Sequence, residues 1–313
     1  TVIIDGITIK QKDYVTDNIF RGDNLVIDSN NFYGFPTEVK HLKNIKIIGK
    51  NGAKIIGCDN NKTYDHPSLG TQEMLGDFYG WRLLQISLSY CDGIEISGIS
   101  FSNTKSWCIS FDKCKNGHVH DLIITSNVKN GDGIDLRCGC NNFIVENISG
   151  STSDDTVACT ALKGTSPYTY PTGNYIFPIE PTKKFNDNYS MDELSIHDVI
   201  IRNISTVGQH HGVILLSGDN LQVYNISIDK IIESDDSGSR EALVKIYSGY
   251  GATSSDNSIH DIRINDVKSK SATYDLLVVT KINETWCNKI SNEKVGGTNY
   301  SLSNSDGIII TNS

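Results

Sequence analysis

Residues 130–160 read NGDGIDLRCGCNNFIVENISGSTSDDTVACT, and this stretch contains two acidic turns that each lead into a short apolar strand. The first turn is Asn130-Gly131-Asp132, and the second is Asp154-Asp155. Asp132 and Asp154 are 22 residues apart. If that distance is one turn of a solenoid, the second acidic turn stacks on the first, because neighbouring strands lie about 4.8 Å apart. Three carboxylates then share one small patch. The alternative interpretation is that Asp and Gly are ordinary turn formers.

An internal repeat surrounds this stretch on both sides. Each copy consists of a turn, an apolar-x-apolar pair, two or three polar residues and a second apolar-x-apolar pair, and alternation with period two is typical of half-buried strands. The copies are CDGIEISGISF (91–101), KNGHVHDLIITS (115–126), NNFIVENISGS (141–151), LSIHDVIIRNIS (194–205), NLQVYNISIDKI (220–231) and NSIHDIRINDVK (257–268). Such units bury their apolar faces only by stacking along one axis. The irregular repeat length favours an all-β parallel β-helix of about nine to eleven coils with variable loops. A propeller would require regularly placed hairpin turns, which are absent from the sequence.

We interpret residues 1–313 as a single β-helix domain. Residues 1–60 are predicted to form the N-terminal coils or their cap, and residues 270–313 the C-terminal coils or cap. Residues 163–193 interrupt the repeat with four of the six prolines and with Tyr168, Tyr170 and Tyr175. A long aromatic loop of this kind is often functional. We expect it to form a wall of a cleft, the alternative being a surface decoration that covers apolar residues.

The amino-acid composition limits the kinds of partner that the protein can bind. The chain has a formal net charge of −9, which argues against a nucleic-acid or anionic-membrane partner, and no apolar run approaches the length of a membrane span. Because the sequence starts at Thr1, we expect any signal peptide to have been trimmed already.

Three of the eight cysteines, Cys91, Cys114 and Cys140, share one register before a strand. A ladder of small buried side chains is the favoured interpretation, and a disulfide framework is the alternative.

Further polar residues are predicted to lie beside the acidic turns. His210 and His211 precede the strand that follows the inserted loop, and Lys245 and Tyr247 lie on the strand one coil later. If the apolar residues of these strands point inward, Lys245 and Tyr247 share the outward face, because alternate residues of a strand lie on one side.

With these residues in place, the chain resembles the polygalacturonases, family 28 of the glycoside hydrolases. That family has the signatures Asn-Thr-Asp, Asp-Asp, Gly-His-Gly and Arg-Ile-Lys, in this order. Here they read Asn130-Gly131-Asp132, Asp154-Asp155, His210-His211-Gly212 and Lys245-Ile246-Tyr247, and the flanking WRLLQI, SWCISFDKC and DGIDL are also similar to the family. The resemblance covers roughly residues 40–270. It implies a right-handed parallel β-helix and an inverting glycosidase that uses neither a metal nor a cofactor.

The resemblance also implies a role for each candidate residue. Asp154 is the acid that protonates the leaving oxygen, Asp132 and Asp155 hold the attacking water, and His211 lies beside the acid and tunes its protonation. The substrate-binding candidates are Asn130, His210, Lys245 and Tyr247. Inversion requires one protonated carboxyl and one carboxylate about 6.5–9.5 Å apart, and crowding of carboxyls keeps one of them protonated.

The fourth signature departs from the family at two positions. Lys245 stands in place of the arginine, and Tyr247 in place of the lysine. In the family these two cations contact the uronate carboxylate. We therefore expect a neutral or singly anionic sugar to lie against Tyr247, with Lys245 holding one polar group.

Four functional interpretations remain at this point. The first is a secreted, extracellular and monomeric glycosidase that acts on a polysaccharide or oligosaccharide. The second is a phage tail or tailspike module, a homotrimer on the virion that binds or cleaves a host surface glycan. The third is a polysaccharide lyase or epimerase, which a Ca²⁺ requirement and an unsaturated product would reveal. The fourth is a catalytically inactive glycan-binding β-helix.

Overall fold

The computed structural model describes residues 1–15, 17–27, 36–60, 63–66, 70–73, 83–163, 182–249, 254–303 and 306–311. Most of the predicted loop 163–193, including Tyr168, Tyr170 and Tyr175, lies outside the described residues, so its expected place along a cleft stays a prediction. No helix within the described ranges has the length and hydrophobicity needed to cross a membrane.

The described residues form mostly β-strands, which are longer in the first sheet than in the second. In chain order the strands are β1 (Val2–Asp5), β2 (Thr8–Lys10), β3 (Phe20–Arg21), β4 (Leu25–Ile27), β5 (Pro36–Val39), β6 (Leu42–Lys50), β7 (Lys54–Ile56), β8 (Thr63–His66), β9 (Gly70–Glu73), β10 (Ile86–Ser89), β11 (Cys91–Ser97), β12 (Ser100–Ser102), β13 (Ile109–Asp112), β14 (Lys115–Ser126), β15 (Ile134–Leu136), β16 (Asn141–Thr152), β17 (Val157–Ala161), β18 (Ile196–Gly208), β19 (His211–Ser217), β20 (Val223–Glu233), β21 (Ala242–Ser248), β22 (Ile259–Ser269), β23 (Tyr274–Val278), β24 (Asn283–Asn292), β25 (Thr298–Leu302) and β26 (Ile308–Thr311). A 3₁₀ helix (Lys183–Asn188) and one α-helical turn, α1 (Met191–Leu194), occupy the end of the segment read as a loop.

Two parallel sheets face each other along the whole described chain. The first sheet follows the order β1-β6-β11-β14-β16-β18-β20-β22-β24-β26, and the second follows β25-β23-β21-β19-β17-β15-β13-β10-β3. Most coils contribute one strand to each sheet, strands β2, β7 and β12 join the first sheet beside this path, and neighbouring coils pair in parallel. The predicted right-handed parallel β-helix is thereby confirmed.

The core fills the space between the two sheets. The apolar-x-apolar residues of the repeat point inward, as predicted: Val145, Ile201 and Ile228 lie side by side in the first sheet and are each at most 1% exposed. In the second sheet the inward row contains Ile134 and Val157. A half-buried strand with this alternation cannot slip by one residue without exposing its apolar side chains.

Left-handed residues bend the long strands of the first sheet. Asn147, Asn203 and Asp121 have positive φ angles of 56°, 53° and 55°, a conformation that asparagine and aspartate adopt more readily than other non-glycine residues. The corners also bond to each other between coils, since Asn147 Nδ2 donates to Asp121 Oδ1 at 2.9 Å and Asn203 Nδ2 to Asn147 Oδ1 at 3.2 Å. The abundance of asparagine in the sequence therefore reflects repeated corners.

The cysteines lie inside the coils. All eight fall within the described residues, where each is buried and none forms a disulfide. Cys114 Sγ donates to Leu88 O at 3.4 Å, and Cys140 Sγ donates to Phe111 O at 3.4 Å. Burial raises the pKa of the Cys140 thiol to about 12. This arrangement matches the predicted ladder of small buried side chains.

Adjacent residues of one strand provide a test of this architecture. Ile201 is fully buried, whereas Ile200 is 37% exposed on the other face. We expect Ile201→Val to lower the free energy of unfolding by about 0.5–1.5 kcal/mol through the lost methylene and its cavity. Ile200→Val is the matched control and should stay within about 0.5 kcal/mol of the unaltered protein. Urea denaturation measures both, and equal losses would contradict the inward and outward assignment.

Candidate active site

The two acidic turns stack on each other at the start of the second sheet. Backbone bonds between coils set this register: Gly133 N donates to Asp155 O at 2.8 Å, and Thr156 N donates to His211 O at 3.0 Å. Oxygens of the Asp132, Asp154 and Asp155 carboxyl groups, one from each, all lie within 4.8 Å of one another. The 22-residue spacing therefore corresponds to one coil, and the three carboxylates share one patch.

Close packing explains the glycine in the first turn. Asn130 is left-handed, with φ 52°. A Cβ atom at Gly131 would collide with the Ser126 and Ser153 hydroxyls and with Val128 O. The side chain that the family carries at this position has no room here. The glycine lets the turn approach its neighbours and leaves Asp132, which is 6% exposed, directed into the carboxylate patch.

Asp154 has the electrostatic character of an acid. Burial, followed by repulsion from Asp155, raises the pKa of Asp154 to about 6, and electrostatic interactions with His210 and His211 oppose this rise. A carboxyl with such a pKa keeps its proton in mildly acidic solution, where an ordinary aspartic acid is already ionised. Asp154 can thus donate a proton near neutral pH.

The two histidines contact different carboxylates. His211 is 5% exposed and its Nδ1 lies 2.6 Å from Asp155 Oδ1. The Nδ1 atom of His210, whose side chain is 58% exposed, lies 3.9 Å from Asp154 Oδ1. The resemblance implied that His211 lies beside the acid Asp154. His211 does act electrostatically on the pKa of Asp154, but its hydrogen bond goes to Asp155, and the exposed ring of His210 also reaches toward Asp154.

Glu241 is a site residue that sequence reasoning missed. Its Oε2 atom lies 3.2 Å from His211 Nε2 and accepts a hydrogen bond of 2.5 Å from Lys245 Nζ. The hydrogen bond from Lys245, and then the one from His211, lower the pKa of Glu241, while partial burial opposes them. The sequence could have indicated it, because Glu241 precedes Lys245 by four residues and alternate residues of a strand lie on the same face.

Lys245 and Tyr247 lie on the outward face of β21, as the alternation predicted. Val244 and Ile246 between them point into the core and are fully buried. The Lys245 ammonium lies 5.5 Å from the centre of the Tyr247 ring. Lys245 thus connects to the carboxylate patch through Glu241 and His211.

A buried arginine lies behind the acidic turns. Arg240 is 1% exposed, and its Nη2 donates to the hydroxyls of Thr156 at 3.2 Å and Thr206 at 3.0 Å. Its Nε lies 3.3 Å from Glu233 Oε1, and neither side chain of this ion pair is exposed. Burial lowers the pKa of Arg240 to about 10, against the opposing charges of Glu233 and Asp155.

Two glycines make room for this guanidinium. A Cβ atom at Gly208 would lie 2.7 Å from Arg240 Nη2, and one at Gly212 would lie 3.1 Å from Nη1. These glycines flank His210 and His211. Arg240 thereby contacts both the Asp155-Thr156 turn and the histidine turn on their buried side. Nothing in the sequence distinguished it from a surface arginine.

A cleft of about 480 Å³ opens beside the acid. Asn130, Asp154 and His210 line it, together with residues 127–129, 151–153, 207–209, 237 and 238. Of the four substrate-binding candidates, Asn130 and His210 therefore border the cleft. Lys245 and Tyr247 lie further along the coil, on the outer face of the second sheet.

The three carboxylates also have the spacing of a divalent cation site, and within the described residues His260, Asp261 and Glu284 form a second such group. Carboxylate oxygens are ligands that Ca²⁺ prefers. A cation at the Asp patch would compete with the proton on Asp154. Loss of activity with a chelator therefore separates lyase chemistry from acid catalysis.

Comparisons with known proteins agree with the motifs. Residues 28–169 match the family model of the glycosyl hydrolases family 28. The match contains both acidic turns and ends before His211. No curated protein sequence matches the chain. The resemblance to the polygalacturonase-like family is thereby confirmed over residues 28–169.

Solved structures share the fold at low sequence identity. The tailspike protein of E. coli bacteriophage HK620, solved with a hexasaccharide, has a TM-score of 0.54 at 12% identity, covering 92% of this chain and 46% of that chain. An endo-xylogalacturonan hydrolase from Aspergillus tubingensis has a TM-score of 0.50 at 12% identity, covering 88% of each chain. An exopolygalacturonase from Thermotoga maritima has a TM-score of 0.49 at 12% identity, covering 97% of this chain and 79% of that chain. The chain spans less than half of the tailspike protein.

Proposed function

We propose, with the family 28 resemblance as the premise, that this polygalacturonase-like glycosidase hydrolyses a polysaccharide with Asp154 as general acid. Asp132 and Asp155 hold and activate the attacking water. The observation that carries the proposal is the convergence of three carboxyl groups around one whose pKa is raised to about 6. A proton donor and a proton acceptor are then available in the same small site at the same pH.

The chemistry follows from the positions of these groups. Asp154 donates its proton to the glycosidic oxygen as the bond to the anomeric carbon breaks. A water molecule held by Asp132 and Asp155 attacks that carbon and loses its proton to one of the two carboxylates. His211, hydrogen bonded to Asp155 at 2.6 Å, keeps that side chain in place. Attack from the face opposite the leaving group inverts the anomeric configuration.

The spacing of the carboxylates bears on the stereochemical outcome. One oxygen of each carboxyl group lies within 4.8 Å of the others, while the two carboxyl groups are about 6.5–9.5 Å apart in an inverting pair and roughly 5–5.5 Å apart in a retaining pair. A third carboxylate changes this comparison, because the water can be held by two groups together. Retention would instead require Asp132 or Asp155 to attack the sugar directly.

The experiment is an activity screen on a panel of pectic and microbial glycans, with the first anomer released observed by proton NMR. Inversion supports the mechanism proposed here, and retention supports the covalent alternative. An unsaturated product, or activity abolished by EDTA and restored by Ca²⁺, would replace both with a lyase. Absence of cleavage on every glycan would contradict the glycosidase proposal.

The raised pKa of Asp154 also predicts how kcat/KM depends on pH. The pKa of about 6 for Asp154 means that its donating form is lost as the pH rises through this value. We expect kcat/KM to fall about tenfold per pH unit above pH 6, since the protonated fraction falls by that factor. A profile measured in buffers of constant ionic strength tests this. A plateau extending to pH 8 would show that Asp154 is not the general acid.

We further propose that the protein acts outside the cell as a monomer. The support is chemical, because a polysaccharide substrate is too large to cross a membrane unaided. The tailspike alternative calls for a homotrimer on a virion. Multi-angle light scattering on the purified protein distinguishes the two, and secretion is tested by fractionation of the producing cells.

A further inference from the structure

We infer that Glu241 sets the charge of the substrate: it neutralises Lys245, so the sugar unit bound there is uncharged. The inference rests on the proposed glycosidase function, because it names the substrate class of the same site. The resemblance associates uronate binding with two cations, whereas this site has one lysine that is already paired with a carboxylate.

The first observation is that Lys245 already has a carboxylate partner. Its Nζ donates to Glu241 Oε2 at 2.5 Å, and the Lys245 side chain is only 17% exposed. The carboxylate is the more accessible member of the pair, since the Glu241 side chain is 52% exposed. An approaching uronate would therefore meet a like charge before it reached the ammonium.

The second observation is that the pair belongs to a linear chain of four contacting side chains. Asp155 contacts His211 Nδ1 at 2.6 Å, His211 Nε2 contacts Glu241 at 3.2 Å, and Glu241 contacts Lys245. Withdrawing Glu241 to admit a substrate carboxylate would disrupt the histidine contact as well as the lysine contact. The cost of that exchange opposes an anionic sugar and leaves a hydroxyl-bearing sugar free to bond with Glu241.

The third observation is the surface beside Lys245. Ala158, Ile214 and Leu216 form an apolar cluster on the outward face of the second sheet, and Leu162 and Tyr247 pack against it. The C–H face of a neutral pyranose is complementary to such a surface. A uronate can make the same contact, but it must also lose water around its carboxylate, which costs free energy that a neutral sugar does not lose.

A binding experiment with defined monosaccharides tests the inference directly. Galacturonate and galactose differ at one carbon, where the first has a carboxylate and the second has a hydroxymethyl group. We expect the unaltered protein to show no preference for galacturonate in NMR titrations. Glu241→Gln releases Lys245 from its carboxylate and should improve galacturonate affinity about tenfold relative to galactose, the gain of one charge-assisted hydrogen bond.

Glu293→Gln provides the matched control. Lys268 Nζ and Glu293 Oε1 form a lysine–glutamate pair at 2.5 Å, and both residues are removed from the carboxylate patch. The control should behave like the unaltered protein. A galacturonate preference in the unaltered protein, or no gain with Glu241→Gln, would overturn the inference.

Polymeric substrates distinguish failure of the neutral-sugar inference from failure of the proposed glycosidase function. The unaltered protein should have a lower kcat/KM on polygalacturonate than on the same polymer after chemical reduction of its carboxyl groups. The opposite order would overturn the neutral-sugar assignment and leave the glycosidase standing. If the binding result holds but every glycan in the panel remains intact, the glycosidase proposal fails instead.

Discussion

Replacing Asp154 by asparagine lowers kcat/KM for glycan hydrolysis by about 10²–10⁴-fold, because an amide cannot supply the proton that the leaving oxygen requires. Asp132→Asn and Asp155→Asn should have effects of the same order, since each removes a carboxylate that holds the water. The measurement is the steady-state rate of each variant on the best glycan of the panel. Retained activity in two of the three variants would show that these carboxylates serve only as turn formers.

Stability should not fall with the activity of Asp154→Asn. The folded-state pKa of Asp154 is raised from 3.8 to about 6 by burial and by Asp155. A carboxyl with a raised pKa costs the folded protein stability as the pH rises through the folded value. The asparagine variant lacks this cost, so at pH 8 its free energy of unfolding should equal or exceed that of the unaltered protein.

The matched control is Asp121→Asn. Asp121 is also a turn aspartate, left-handed with φ 55°, on an exposed corner of the first sheet. Asparagine occupies the equivalent corner in the next coil, at Asn147. The same chemical change should therefore leave activity unaltered. A comparable loss with Asp121→Asn would indicate that an indirect structural effect, not the removed carboxyl, lowers the rate.

Replacing Glu233 by glutamine destabilises the fold by about 3–5 kcal/mol, because it leaves the buried Arg240 guanidinium without its counter-charge. Glu233 and Arg240 are 0% and 1% exposed, so solvent cannot compensate for the lost carboxylate. Glu233 also accepts backbone N–H bonds from residues 270–272. A glutamine retains one oxygen for those donors and replaces the oxygen that faces Arg240 by an uncharged amide group. Urea denaturation gives the free energy of unfolding.

The double variant Arg240→Met with Glu233→Gln tests the explanation. Replacing both partners of a buried ion pair is often nearly neutral, whereas removing one is not. We expect the double variant to recover most of the stability lost in Glu233→Gln. Its activity should be lower than that of the unaltered protein, because methionine cannot donate hydrogen bonds to the Thr156 and Thr206 hydroxyls. If the double variant is as unstable as the single one, the unpaired charge is not the cause.

The sequence alone was sufficient for the β-helix and the acidic patch. Both depend on local patterns: alternation with period two decides which side chains enter the core, and one coil separates Asp132 from Asp154 without a large insertion. The outward positions of Lys245 and Tyr247 follow from the same alternation. Parallel stacking then converts a spacing along the chain into proximity in space.

Contacts between distant coils were decided only by the tertiary structure. His211 is 56 residues from Asp155, beyond the inserted segment. Strand parity predicts the face on which a side chain lies, but the rotamer and the neighbouring coil decide which carboxylate its ring meets. The hydrogen bond of His211 to Asp155 is of this kind.

The charged residues around the site show the same division. Arg240 and Glu241 are consecutive in the sequence, and both would be read as solvent-facing. Folding buries Arg240 because Gly208 and Gly212 leave a space for it and Glu233 supplies the opposite charge. It directs Glu241 between His211 and Lys245. Alternation and turn chemistry, which act between near neighbours, are visible in the sequence; charge pairing acts between coils, and only the three-dimensional packing determines which charges meet.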